Sequence, residues 1–156
     1  MDSVAAYEVG IVADDVDALV RFYVDVLAMT MHSDVTVPAD ASRRTGLAPA
    51  GYRVVRLSTS LGQRFKIARG SGSTRRVAGE PFPMASTGNF YLTFLVRDIR
   101  GLHAHLAGRG VRLCSDGVVE VRPGVWLFLA ADPEGNWLEF VEYADIAGYL
   151  ASGPAR

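Results

Sequence analysis

"EVGIVADDVDAL", Glu8 to Leu19, has a counterpart in "YLTFLVRDIRGL", Tyr91 to Leu102. The two align without a gap: Ile11 falls on Phe94, Val12 on Leu95, Asp15 on Asp98 and Leu19 on Leu102. Each runs from an apolar strand through an acidic N-cap into a helix. Similarity of this kind inside one chain points to a duplicated unit.

The rest of each half extends the repeat. After the Asp14-Asp15 cap, Leu19, Phe22, Tyr23, Val26 and Leu27 recur at helical spacing as one apolar stripe. In the second half Ile99, Leu102 and Leu106 form a shorter stripe, with Gly108 and Gly110 at its end. Further on, "GQRFKIAR" (Gly62 to Arg69) lies against "GNWLEFVE" (Gly135 to Glu142), each a turn glycine leading into an alternating strand. Between helix and last strand there is room for two more strands. These are "MTMHSDVTV" and "YRVVRLSTS" in the first half, and "VRLCSDGVVEV" and "VWLFLAA" in the second. Each half therefore reads strand, helix, strand, strand, strand.

These boundaries give a first module over residues 1–70, a linker over 71–88 and a second module over 89–156. The stretch from Arg69 to Gly88 is rich in Gly, Ser and Pro, as a linker is. "PADASRRTGLAPAG" interrupts the first half and reads as a loop with one helical turn.

Composition narrows the class. The chain has 156 residues, of which 49% are hydrophobic and 21% charged, an ordinary globular profile. A net charge of −1 gives no reason to expect nucleic acid or an anionic membrane as partner. No apolar run reaches membrane-spanning length, and "MDSVAAYEVG" lacks the features of a signal peptide, so a cytoplasmic protein is expected. The single Cys114 has no partner for an internal disulfide and sits in a strand-like stretch, where a structural thiol is the simpler reading.

The duplicated pattern, together with "VGIVADDVDALVRFYVDVL" and "DPEGNWLEFVEY", resembles the vicinal oxygen chelate superfamily. That superfamily includes glyoxalase I, bleomycin-resistance proteins and extradiol dioxygenases. The resemblance covers nearly the whole chain and implies an α+β fold: two βαβββ modules whose curled mixed sheets surround a shared cleft, with the helices outside. It also implies a homodimer and a small-molecule ligand. Strand parity adds detail: Leu138, Phe140, Phe65 and Ile67 should face the helices, and Glu139 and Lys66 the opposite side.

Metal-dependent members of the superfamily place one ligand on each of four cleft-facing strands. Carried onto this chain, those positions are Glu8, Lys66, Tyr91 and Glu139. Two carboxylates remain, but a lysine ammonium has no lone pair to offer a cation and a neutral phenol is a weak ligand. No metal or other cofactor is therefore expected; Glu8 and Glu139 are the candidate ligands if a divalent ion binds. His103 and His105 fall on the second helix and His32 on the second strand, so they do not make up the deficit.

By parity Thr93, Leu95, Trp137 and Val141 should share the face of Tyr91 and Glu139; Gly10 and Val12 that of Glu8; and Arg64 that of Lys66. Trp126 or its neighbours are expected at the mouth of the pocket. The arginine pairs Arg43-Arg44 and Arg75-Arg76 lie in irregular segments, where solvated loop is the simpler reading.

Three functions are consistent with this site. One is a metal-independent enzyme, of isomerase or lyase type, doing acid/base chemistry on a small, mostly apolar carbonyl compound. Glu8 or Glu139 is then the base, and Lys66 and Tyr91 stabilise the oxyanion. The second is a drug-sequestering resistance protein using aromatic rings and carboxylates for a cationic ligand. The third is a metal-dependent glyoxalase- or dioxygenase-like enzyme.

Overall fold

A computed structural model describes residues 7–72 and 82–152. The chain forms two compact units, Met1–Ala78 and Gly79–Arg156. Each combines a mixed sheet with helices, so the class is α+β as the duplicated pattern predicts.

The first unit opens with β1 (Glu8–Val12), α1 (Val16–Arg21) and a π-helical turn (Phe22–Val26). It continues through β2 (Thr30–Val37), α2 (Ala39–Thr45), β3 (Tyr52–Ser58) and β4 (Arg64–Gly70). Asp15 is the cap of α1, its carboxylate accepting from the Ala18 amide at 2.9 Å. Leu19, Phe22 and Tyr23 of the predicted stripe are buried. The wider π turn carries the last of these, and Val26 and Leu27 stay only half-buried.

Strand order is β1-β4-β3-β2, with β1 and β4 parallel and the other pairs antiparallel. Period-2 alternation splits the residues of the sheet between its two faces. Ile11, Val55, Leu57, Phe65 and Ile67 go to the helix side and form the core, each 6% exposed or less. Burying a side chain of this size stabilises the fold by roughly 1.5–3 kcal/mol. The same alternation sends Glu8, Gly10, Arg56, Arg64 and Lys66 to the open face.

The segment "PADASRRTGLAPAG" is more ordered than one helical turn. Ala39–Thr45 is helical, and Gly46 ends it at φ 73°. Ser42 is fully buried and its hydroxyl donates to the Ala48 carbonyl at 2.6 Å, tying the following loop down. Gly51 leads into β3 at φ 94°, where an added Cβ would stand 2.8 Å from the Val37 carbonyl oxygen.

The second unit contains β5 (Tyr91–Leu95), α3 (Ile99–Gly108), β6 (Arg112–Leu113), β7 (Val119–Arg122), β8 (Val125–Ala131), β9 (Trp137–Tyr143) and α4 (Ile146–Ala151). Its order is β5-β9-β8-β6, with β7 also on β8. "VRLCSDGVVEV" is thus two short strands, not one. The Leu129 amide donates to the Ser115 hydroxyl at 2.8 Å instead of to a backbone carbonyl, and Gly117 takes φ 146°. The chain bulges there before β7 rejoins β8.

The turn before β9 is held by a buried carboxylate. Asp132, 5% exposed, accepts from the Glu134 amide at 3.0 Å, the Asn136 amide at 2.9 Å and the Asn136 side-chain amide at 2.8 Å. "DPEGN" is therefore an Asx-type turn that fixes where β9 starts and so which of its residues face outward.

Candidate functional site

The open face of the first unit carries an unusual density of charge. Arg56 pairs with Lys66 across β3 and β4, and Gly10 pairs with Lys66 across β1 and β4. Glu8 sits one turn of the pleat away, its Oε2 3.2 Å from Lys66 Nζ and its Oε1 3.6 Å from an Arg64 guanidinium nitrogen. The hydrogen bond from Lys66 holds the Glu8 carboxyl below its ordinary value of 4.5; partial burial pulls the other way, and the nearby positive charges of Lys66, Arg64 and Arg56 reinforce the lowering. His32, at a bulge in β2, shares a 2.7 Å hydrogen bond with the Ser58 hydroxyl on this same face.

Above this floor lies a cavity of about 500 Å³. Its walls include Val12, Leu47, Pro49 and Val54, and Tyr52, Arg56, Lys66 and Ser71 are its polar lining. Gly10 also lines it, and nothing lies within 4 Å of where a Cβ would be. The mostly apolar walls and few polar groups are what a small organic ligand requires. A second hollow, of about 640 Å³, lies at the start of α1 among Asp14, Asp17, Arg53 and Arg69. Its charges are matched to one another. Arg53 forks onto Asp34 at 2.9 and 2.7 Å and reaches Asp17 at 2.9 Å, while Arg69 reaches Asp14 at 3.3 Å. Larger size notwithstanding, that hollow leaves less charge for a ligand.

In the second unit the parity expectation holds for all six residues on β5 and β9. Tyr91 pairs with Trp137, Thr93 with Glu139 and Leu95 with Val141. Thr93 donates its hydroxyl to Glu139 Oε2 at 2.7 Å. Tyr91 is 40% exposed, whereas Val141, at 5%, offers little surface. An Arg112 guanidinium lies 6.0 Å from the Trp137 ring centre, within cation–π range.

Trp126 is not on this face. It pairs with Glu142 and alternates with Leu127 and Leu129, which pair with Val141 and Glu139. Glu142 accepts from the Ile99 amide at the start of α3, so Trp126 stands on the helix side and its neighbours hold the open one. His103 lies edge-on to Phe128 at 5.0 Å, on that same helix side. Arg43 and Arg44 are exposed on α2, Arg44 only 3.9 Å from Asp40, and Arg75-Arg76 lie outside the described residues.

Reading strands one at a time missed Arg56, Tyr52 and the Leu47–Pro49 wall. The signal for Arg56 was the tight turn "TSLGQ". Hydrogen bonds between Thr59 and Gln63 close it, with Gly62 at φ 85°, and they set the register that places Arg56 beside Lys66.

A sequence profile of the Glyoxalase/Bleomycin resistance protein/Dioxygenase superfamily matches residues 5–140. The chain belongs to that superfamily. A glyoxalase family protein from Bacillus cereus superposes with a TM-score of 0.75 at 21% identity, over 92% of this chain and 96% of that one. The trypanothione-dependent glyoxalase I of Leishmania major gives 0.67 at 19% identity, over 96% and 93%. Glyoxalase I from Zea mays gives 0.63 at 17% identity, over 88% of this chain but 44% of the maize protein. At these identities the likeness is one of fold. No curated protein sequence matches significantly.

Metal-dependent superfamily members raise the question of a divalent ion here. Both oxygens of Glu8 face cationic side chains, and Lys66 occupies a position where the resemblance expects a ligand. Among the described residues no three His, Cys, Asp or Glu side chains converge as a metal site would need. This donor set does not suit a divalent cation. Among the described residues no helix is long and apolar enough to cross a membrane.

Proposed function

We propose that this superfamily member is a metal-independent enzyme that moves protons on a small, mostly apolar carbonyl compound. Isomerisation, epimerisation, dehydration and ring closure all lie within that chemistry. The observation that carries the reading is Lys66: it lines the apolar cavity and stands 3.2 Å from a carboxylate.

The proposed chemistry follows from those charges. A carbonyl oxygen accepting from Lys66 becomes more able to hold negative charge, so the adjacent C–H grows more acidic. Glu8 takes that proton and returns it to another face or position of the carbon skeleton. A carboxylate held below its ordinary value is a weak base. It works only on a C–H that is already acidic, such as that between two carbonyl groups. The second unit, taken by itself, offers a separate candidate: Glu139 as acid/base group and Tyr91 as hydrogen-bond donor, with Thr93 orienting Glu139 through one oxygen.

Sequestration of a cationic drug is the second reading, supported by Glu139 beside the exposed rings of Tyr91 and Trp137. The cationic lining of the first-unit cavity opposes it. A metal-dependent enzyme is the third reading, and Lys66 opposes that one. Family resemblance also supports a homodimer, which sedimentation would check.

The test is proton exchange in D2O. Chelator-dialysed protein incubated with a panel of β-dicarbonyl compounds should incorporate deuterium at carbon faster than buffer does, and Glu8→Gln should not. If the second-unit group does the chemistry instead, exchange should be lost in Glu139→Gln and kept in Glu8→Gln. Exchange that appears only on adding a divalent metal, or ligand binding without any exchange, would refute the enzyme reading.

A further inference from the structure

We infer that the first-unit cavity is an oxo-acid receptor: its ligand carries a carboxylate gripped by Arg56 next to a carbonyl oxygen held by Lys66. The inference rests on the reading above that this cavity is the ligand site, and it names the substrate class.

Charge on the open face is unbalanced. Arg56, Arg64 and Lys66 share it, and the acid they meet there is Glu8. Both Glu8 oxygens are engaged, one by Lys66 and one by Arg64. Arg56 makes only a long 3.4 Å hydrogen bond to the Ser33 hydroxyl and pairs with no carboxylate among the described residues. Asp34, the next acid along β2, is out of its reach, because Asp34 is held on the other face by Arg53.

Arg56 and Lys66 are also direct cross-strand neighbours. Like charges in that position repel, and folding tolerates the pair more easily when an anion lies between them. Space for one exists: Gly10 contributes no side chain on the far side of Lys66, and the site of its missing Cβ is open. Cβ atoms of such neighbours are ~4.5–5.5 Å apart. Both side chains line the same cavity, so a carboxylate beside a carbonyl on one ligand would give each of them a partner. The planar guanidinium fork matches a carboxylate through two hydrogen bonds, whereas the ammonium acts as a single donor point for the carbonyl. The walls of Val12, Leu47, Pro49 and Val54 call for an aryl or branched-alkyl remainder.

The test compares phenylpyruvate with phenylacetone, which share the benzyl group and ketone and differ in the carboxylate. Dissociation constants come from ligand-observed NMR on the full chain, with 2-phenylethylamine as the cationic probe. Phenylpyruvate should bind at least about tenfold tighter than phenylacetone, as one hydrogen-bonded ion pair implies. Arg56→Gln should erase the difference without weakening phenylacetone, and Arg56→Lys should restore part of it. On the unaltered protein, added salt should weaken phenylpyruvate alone, which keeps the test valid if a variant folds badly. Equal binding of the two ketones, binding of neither, tightest binding of the amine, or a preference that survives Arg56→Gln would each overturn the inference. Deuterium exchange on the same samples separates it from the enzyme reading. Exchange without anion preference sinks the oxo-acid receptor alone, and anion preference without exchange sinks only the enzyme.

Discussion

Replacing Asp132 by alanine should destabilise the fold by about 3 kcal/mol, and the figure follows from the turn it organises. Three hydrogen bonds at 2.8 to 3.0 Å end on this carboxylate, which is 5% exposed. Hydrogen bonds to a charged group contribute roughly 1.5–3 kcal/mol each, but they do not add. The donors belong to Glu134 and Asn136, both half-buried, so water can reach part of what is released. About half the simple sum remains, near 3 kcal/mol. Asp132→Asn keeps an oxygen for the two backbone amides but sets an NH2 group against the Asn136 side chain, so its cost should be about 1–1.5 kcal/mol. Thermal unfolding of the whole chain should then fall by roughly 10 °C for alanine and roughly 4 °C for asparagine, at about 3 °C per kcal/mol for a chain of this size. Equal losses for the two variants would show that the individual bonds do not matter. A loss below about 2 °C for alanine would refute the structural role of the turn altogether.

Three further perturbations probe the first unit. Glu8 has its carboxyl lowered in the folded state, chiefly by Lys66, so its contribution to stability is present above the unfolded value near 4.5 and lost as pH falls through the folded value. The stability gap between the parent and Lys66→Gln should therefore narrow as the solution is taken from about pH 6 to about pH 3, and a gap constant over that range would refute the coupling. Lys66→Glu places a second carboxylate beside Glu8 and should raise Ni2+ affinity at least about tenfold by calorimetric titration; no gain would count against this placement of residue 66. Gly51→Ala forces a side chain into φ 94° and within 2.8 Å of a carbonyl oxygen. It should cost about 1–3 kcal/mol in urea unfolding, and an unchanged midpoint would show that the turn relaxes freely.

The sequence exposes those features whose physics is local. The Asp15 cap, the stripe through Leu19 and Tyr23 and the alternation about Lys66 and Glu139 each depend on neighbours a few residues away, and the structure realises all of them. Trp126 was misplaced because parity says nothing until a partner strand fixes the face; its pairing with Glu142, capped onto α3, supplies that. The break within "VRLCSDGVVEV" depends on the Ser115 hydroxyl receiving an amide from a strand it meets only on folding. Arg56 is missed by strand reading because the turn that sets its register lies outside both strands. Its significance lies in standing beside Lys66, and cross-strand adjacency is not written in either strand alone.

The duplication supplies its own control for the chemistry. At matching levels of the two sheets the first unit sets Gly10, Lys66 and Arg56 side by side, and the second sets Thr93, Glu139 and Leu129. In the second row the acid has a hydroxyl on one flank, hydrogen-bonded at 2.7 Å, and an apolar neighbour on the other. In the first row the cation has a bare glycine on one flank and a second cation on the other. If both rows served folding alone, their shared pairing pattern would impose the same demand on each, and repulsion between Arg56 and Lys66 would have no purpose. A cavity lies over this first row, and the glycine that lines it leaves the space of a side chain open there. Placing threonine at residue 10 should therefore hinder ligand binding, and its Cβ, which meets nothing within 4 Å, gives the backbone no steric reason to shift. Unfolding and binding measured on one Gly10→Thr sample decide it: lost stability would make the glycine a folding requirement, and unchanged binding would put the ligand elsewhere.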